Sequence, residues 1–386
     1  MPERRSSPGY EASRYLRMAL ALAFSLAILA AHPWSSAAAD EFKFNPPAGI
    51  PADLWAYFVP RNNALTPAKV ELGRRLFFDT RLSADGSISC STCHDPHLAF
   101  TDGKQTAQGI GGRHGARNTP TVLNAMFNSS LFWDGRADSL EAQAIEPMVN
   151  PDEMGNQNHD QVVKRLAAVL DYVDQFNRAF AGPVTIGEIA QAIAAYERTL
   201  VSAGSPFDRF QAGDRNALSE AAQRGLNLFR GKARCSVCHS LNASFPFLTD
   251  GNYRNTGVAA NFAGFGGVAS AATMNDPLKL MPALDQRSKS ELGRFVVSRD
   301  ALDIGSFRTP SLRNIELTAP YFHDGSAATL ADVVRYYVRG GNANASRDWE
   351  LQPIDLDSGE QRDLIEFLRS LTSDEARRQT SLSTRP

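Results

Sequence analysis

A chain of 386 residues with 43% hydrophobic side chains is long enough for about two globular domains. Its 40 basic and 42 acidic side chains leave a formal charge of −2, which excludes the broad basic field of a nucleic-acid-binding protein.

Arg4, Arg5, Arg14 and Arg17 precede an apolar run from Met18 to Ala31, and Ala37-Ala38-Ala39 offers a small-residue cleavage site before Asp40. Residues 1–39 therefore read as a secretory signal peptide. The run is about 14 residues long where a membrane span needs about 20, so no stable membrane insertion is expected after cleavage and the mature chain is assigned to the periplasm. The Pro-rich lead from Asn45 to Pro51 reads as an extended arm. Thr66-Pro67 then supplies an N-cap followed by Pro at the first helical position, opening a helix toward Phe77.

Cys90-Ser91-Thr92-Cys93-His94 follows, and Cys235-Ser236-Val237-Cys238-His239 repeats the pattern, so the two motifs use all four cysteines. Two thiols with two residues between them and an adjacent imidazole form the attachment pattern of c-type haem. The thiols make thioethers to the porphyrin vinyl groups and the His becomes the proximal iron ligand. A zinc site or disulfides would use the same cysteines but give no reason for a His after each pair. Covalent haem attachment is completed outside the bacterial cytoplasm, in agreement with the leader. Before each motif stands a helix pattern with Gly73 or Gly225 three residues ahead of a Leu-Phe pair, the second one capped by Ser219. This internal repeat predicts a mainly α fold of two cytochrome c-like helical domains, residues 40–205 and 206–386, each carrying one haem.

Between the motifs, Asp160 to Phe180 places Val162, Val163, Leu166, Val169, Leu170, Val173 and Phe176 at helical spacing, and Thr185 with Glu188 caps a second helix through Leu200. Gly, Ser and Pro from Ser202 to Gly213 mark the boundary between the domains. Asn242 to Pro282 is expected to be a long irregular loop around the second haem. Thr329 to Val338 reads as a short helix. Ser358 with Gln361 caps a last one that buries Leu364, Ile365, Leu368 and Leu371, and the polar tail from Thr372 is expected to fray.

From Phe78 onward the chain resembles the bacterial di-haem cytochrome c peroxidase and MauG superfamily, including its MbnH branch. The likeness is carried by Asp79-Thr80-Arg81-Leu82-Ser83, Arg117-Asn118-Thr119-Pro120-Thr121, Phe132-Trp133-Asp134-Gly135-Arg136-Ala137, Glu141-Ala142-Gln143-Ala144 and Asn150-Pro151-Asp152-Glu153-Met154. Phe307-Arg308-Thr309-Pro310-Ser311-Leu312-Arg313-Asn314 and Ala319-Pro320-Tyr321-Phe322-His323-Asp324-Gly325 complete it, in the same order around two haem motifs. The resemblance implies that His94 serves the peroxide-reacting haem, with Glu153 as distal acid/base and Gln143 orienting peroxide. It implies that Trp133 relays oxidising equivalents between the haems, and that Asn118, by its side chain, and Thr318 and Pro320, by their carbonyls, hold a calcium ion.

Two positions depart from the peroxidases of this group. Fourteen residues after His323, where they carry an axial Met, stands Tyr337, as in MauG-type enzymes. A phenolate is a hard ligand that favours Fe(III) and higher states, whereas a thioether favours Fe(II). Tyr336, or Met274 or Met281 of the irregular loop, are the alternatives at this site. Ile110 holds the place of the His that caps the first haem of resting peroxidases, so an open first haem is expected, with His114 as the nearby imidazole that could still reach it and His97 in a Pro-flanked turn.

The resemblance thus implies an enzyme that uses hydrogen peroxide to form a high-valent di-haem state and oxidises aromatic residues, Trp above all, of a periplasmic protein partner. The alternatives are a cytochrome c peroxidase that takes electrons from a small cytochrome or cupredoxin donor and, outside enzymology, a di-haem electron carrier.

Overall fold

In the computed structural model, which describes residues 42–382, helices dominate and a single two-stranded ribbon supplies the strands. The helices are α1 (Ala52–Tyr57), α2 (Pro67–Phe77), α3 (Cys90–Cys93), α4 (Leu140–Val149), α5 (His159–Ala167), α6 (Leu170–Phe180), α7 (Ile186–Glu197) and α8 (Pro206–Gln211). They continue as α9 (Glu220–Arg230), α10 (Phe265–Met274), α11 (Pro277–Ala283), α12 (Gln286–Glu291), α13 (Phe295–Ser298), α14 (Leu330–Val338), α15 (Ser358–Arg369) and α16 (Asp374–Leu382). The ribbon pairs β1 (Tyr253–Arg254) with β2 (Phe307–Arg308), antiparallel. The expected signal peptide lies outside the described residues.

Capping chemistry sets the main helix starts. The hydroxyls of Thr66, Ser219 and Thr329 accept hydrogen bonds from the backbone N–H groups of Lys69, Ala222 and Asp332, each satisfying an otherwise orphaned donor. Thr185 caps α7 in the same way.

Four expectations need correction. The helix predicted over Asp160–Phe180 is two helices, because Val169 is extended and ends the first. The break rotates α6, so that Tyr172 and Phe176 are buried while Leu170 is 82% exposed. Residues 242–282 are not a continuous irregular loop. They hold α10 and most of α11, which bury Phe265, Ala272 and Met281 in an apolar cluster of their own. Their Ala- and Gly-rich composition hides the helices, because small residues leave little hydrophobic periodicity. The last long helix is capped by Asp357 with Glu360, one residue before the Ser358 and Gln361 expected. The tail does not fray at Thr372: Thr372 and Ser373 are buried, Ser373 N–H donates to Asn314 Oδ1 (3.0 Å), and α16 follows.

The buried apolar side chains form three clusters. One draws on residues 50–203 and Phe247, the second on 207–371, and the third on 259–307. In the first two, a pair of helices crosses at a glycine. A β-carbon at Gly73 of α2 would lie 1.8 Å from the Ala192 carbonyl oxygen of α7, and one at Gly225 of α9 would lie 2.0 Å from the Asp363 carbonyl oxygen of α15. Gly225→Ala is therefore expected to lower stability by about 1–3 kcal/mol in denaturant unfolding, the usual cost of overpacking. Gly266→Ala on α10, with nothing within 4 Å, should not. Equal unfolding midpoints for the two variants would contradict this reading of the crossings.

The duplication extends well beyond these helices. Leu131 bridges Ala137 as Tyr321 bridges Ala327, and Asn124, Phe132 and Gly135 share left-handed backbone with Asn314, Phe322 and Gly325. The two copies interlock by exchange: Asn118 N–H donates to the His323 carbonyl and Arg308 N–H to the Trp133 carbonyl, both at 2.8 Å. Trp133 and His323 are thus counterparts, as are Asn118 and Arg308. Eight residues after the caps Ser139 and Thr329, Pro147 is the counterpart of Tyr337.

Candidate active site

Each Cys-x-x-Cys-His motif opens onto a cavity. One of about 370 Å³ is lined by Cys90, Cys93 and His94, and one of about 420 Å³ by Cys235, Cys238 and His239, both within the range of cofactor pockets. A carbonyl can only accept, so His94 donates Nδ1–H to the Phe100 carbonyl (3.1 Å) and His239 donates to the Leu248 carbonyl (2.9 Å). These bonds fix the tautomer and leave each Nε2 as the free ligating nitrogen. Burial lowers the pKa of both imidazoles, offset in part by those same carbonyls, which favours the neutral form that binds iron. The four thiols are unpaired, and burial pushes Cys93 and Cys235 up to about 12 and Cys238 up to about 11. Among the described residues no three His, Cys, Asp or Glu side chains group as a metal cage.

Trp133 lines both cavities, and its indole N–H donates to the Asn118 carbonyl (2.8 Å). The first cavity also brings together His94, Glu153 and Gln143. Glu153 follows α4 in a turn held by its own N–H to the Asn150 carbonyl (3.1 Å) and by Asn150 Nδ2 to Glu153 Oε1 (2.9 Å). Burial raises the Glu153 pKa; Arg136 and the Asn150 bond oppose it without reversing it. Gln143 accepts and donates no side-chain hydrogen bond among the described residues.

Ile110 is not part of the cavity wall. Its N–H donates to the Glu153 carbonyl (2.8 Å) and its side chain lies over Gly155, so the Gly-rich loop clamps the Glu153 turn. His114 is exposed and also absent from the wall, as is His97.

In the second cavity Tyr337 joins His239, and no methionine lines it. Met274 is exposed on α10 and Met281 is buried in the third apolar cluster. Tyr336 spends its hydroxyl on the Thr256 carbonyl (2.9 Å) and receives the Asn342 N–H (3.1 Å), whereas no hydrogen bond engages the Tyr337 hydroxyl among the described residues. Burial raises the Tyr337 pKa, so a phenolate there needs a cation to hold it. Asn118, Thr318 and Pro320 all border this cavity, and the carbonyls of Thr318 and Pro320 accept no hydrogen bond among the described residues. Asn118 Nδ2 donates to the Lys104 carbonyl (2.9 Å), leaving its oxygen for another partner.

Several wall residues escape sequence reasoning. Glu197, 4% exposed, lines the first cavity with burial raising its pKa to about 8. Trp349 borders the second cavity while 79% exposed. Arg308 lines both cavities. It stands in the Phe307–Asn314 motif, and alignment of the two copies makes it the counterpart of Asn118.

Residues 67–216 match the family model described as di-haem cytochrome c peroxidase. The methylamine utilization protein MauG of Methylorubrum extorquens is 39% identical over 88% of this chain and 86% of its own length. The cytochrome-c peroxidase IdrP1 of a Pseudomonas species is 37% identical over 82% and 84%. The crystal structure of a MauG-like protein associated with microbial copper homeostasis superposes with a TM-score of 0.69 at 33% identity, covering 90% of this chain and 97% of that one.

The chain belongs to the di-haem cytochrome c peroxidase and MauG family. It is accordingly a haem-dependent oxidoreductase that carries two haems rather than a passive carrier. The two cavities fit that pair of cofactors: each offers two unpaired thiols, an imidazole with its outer nitrogen free, and an apolar wall. No helix of the described residues is long and apolar enough to cross a membrane.

Proposed function

We propose that this enzyme is a periplasmic, MauG-type oxidoreductase that uses hydrogen peroxide to oxidise an aromatic side chain, Trp above all, of a docked protein. The observation that carries the reading is Tyr337, with an unengaged hydroxyl in the cavity of His239 where no methionine is available. A cytochrome c peroxidase fed by a small cytochrome or cupredoxin is the rival, favoured by the peroxidase names among the relatives; methionine ligation of the second haem would select it.

In this reading Cys90 and Cys93 would hold the first haem as thioethers and Cys235 and Cys238 the second, His94 and His239 would supply an imidazole to each, and residues 40–205 and 206–386 would be the two haem-bearing halves. When bound, the haems supply the iron that activates peroxide and stores the oxidising equivalents. Glu153 takes the proton from the inner peroxide oxygen and returns it to the outer one, for which a carboxyl of raised pKa is suited. Asn150 fixes the carboxylate and Gln143 orients the peroxide. The first cavity has Pro147 where the second has Tyr337, and proline offers no side-chain atom that would ligate a haem there. Tyr337 would hold the second haem through its phenol oxygen. Trp133 spans the wall between the cavities, its indole fixed by the Asn118 carbonyl, and passes electrons across it. Calcium fits the remaining oxygen of Asn118 with the carbonyls of Thr318 and Pro320, a hard cation on oxygen ligands. Val237 and Trp349 expose apolar surface beside the second haem, where a protein partner would dock.

Trp133→Phe tests the reading. After rapid mixing with one equivalent of peroxide without oxygen, the absorption change of the second haem should accompany that of the first in the parent protein. In the variant it should lag by roughly tenfold or more, about 1.4 kcal/mol or more in barrier. Unchanged timing would remove Trp133 from the route.

A further inference from the structure

Leu248 supplies the carbonyl that orients His239, and the residue before it is planted in the other half of the molecule. Phe247 is 2% exposed and lines neither cavity. It belongs to the apolar cluster whose other buried members lie between residues 50 and 203. Its ring stacks on that of Phe127 with centroids 4.1 Å apart, Phe245 meets it edge-on at 5.0 Å, and Phe58 meets Phe127 edge-on at 5.3 Å. Leu248, the next residue, is buried in the second cluster instead. Its backbone is left-handed (φ 52°), a conformation that a residue with a side chain keeps only where its surroundings hold it. Arg313, in a buried pair with Asp208 (2.8 Å), donates Nε–H to the Pro246 carbonyl and so fixes the same segment.

The first copy is built differently at this point. Thr101-Asp102-Gly103 corresponds to Thr249-Asp250-Gly251, so Phe100, whose carbonyl accepts from His94, is the counterpart of Leu248 and shares its left-handed backbone (φ 57°). The counterpart of Phe247 is then Ala99, which has no ring to insert anywhere. The carbonyl on His94 is held within its own half, whereas the carbonyl on His239 follows a ring that the first half encloses.

We infer that Phe247 is a positioning residue for His239: the first half grips its ring, and through Leu248 that grip sets the hydrogen bond on the imidazole and the potential of the second haem. This rests on the second cavity holding a haem through His239. A carbonyl that accepts Nδ1–H makes the imidazole a more basic ligand, which favours the ferric state. A loosened bond therefore favours the ferrous state and raises the potential.

The test is spectroelectrochemical titration and ferric EPR of the holoprotein beside Phe247→Ala and Phe58→Ala, the second being a loss from the same aromatic group at a residue remote in sequence from Leu248. A pyridine haemochrome assay first fixes the haem count: fewer than two haems in the parent would bring down the two-haem reading and this proposal with it. Phe247→Ala should raise one midpoint potential and alter one ferric signal, leaving the other potential and signal in place. Phe58→Ala should lower the unfolding midpoint while both potentials stay where they were. With two haems in the parent, unchanged potentials in Phe247→Ala, or the same shift in Phe58→Ala, would overturn the proposal alone. If Phe247→Ala does not mature, Phe247→Leu decides. It fills much of the space without the stack, so the same potential should rise by less, and potentials equal to those of the parent would overturn the assignment.

Discussion

Glu153→Gln should slow peroxide-driven oxidation by about 10²–10⁴-fold, the usual contribution of a positioned acid/base, while both haems remain attached. The amide keeps the shape and can still meet Asn150, but it cannot carry the proton between the peroxide oxygens. The parent enzyme should lose activity as pH falls and Glu153 takes up its proton. Because burial raises this pKa, the acid limb should lie above the ordinary carboxylate range. Steady-state oxidation across pH checks this: the limb should vanish in Glu153→Gln, and a limb that persists would assign it elsewhere. Stability should move the other way. With the folded pKa above the unfolded one, the native state binds the proton more tightly, so stability is lost as pH rises from the unfolded value through the folded one. Above that window the neutral Gln escapes the burial cost of the ionised Glu, and the variant should be no less stable than the parent.

How much of this is legible before any coordinates depends on what each residue's signal is. The Cys-x-x-Cys-His motifs are readable because attachment chemistry fixes residue type and spacing, and the caps at Thr66, Ser219 and Thr329 because one side-chain oxygen at one position does the work. The break at Val169 is not readable, since the apolar spacing continues across it while the backbone there is extended. Helices α10 and α11 are missed because Ala and Gly leave no stripe. In the site, Glu153, Gln143 and Trp133 come from family likeness, and geometry adds their shared walls and the carboxyl's raised pKa. Ile110 is an instructive difference. Its register suggests an empty cap over the first haem; it is not among the residues that line the cavity, and it braces the turn that carries Glu153.

Tyr337 is where the account stands or falls. Its hydroxyl is free in a cavity without methionine, and its neighbour Tyr336 is tied to backbone on both sides. The buried phenol resists ionisation alone, so the iron of a haem held by His239 would be the cation that makes it a phenolate. Tyr337→Phe removes the oxygen and nothing else of similar reach. The second haem should lose its axial ligand and its electronic signature, the two haems should stop sharing oxidising equivalents, and oxidation of a protein partner should fall with them. The first haem, bordered by Pro147 at the corresponding position, should be untouched.

The most direct measurement is the EPR spectrum of the resting ferric protein beside that of Tyr337→Phe. The parent should show one high-spin signal, from the open haem of His94, and one low-spin signal, from the haem of His239 and Tyr337, with only the low-spin signal altered by the substitution. A low-spin signal unchanged in the variant would contradict the account and give the second haem a different axial ligand.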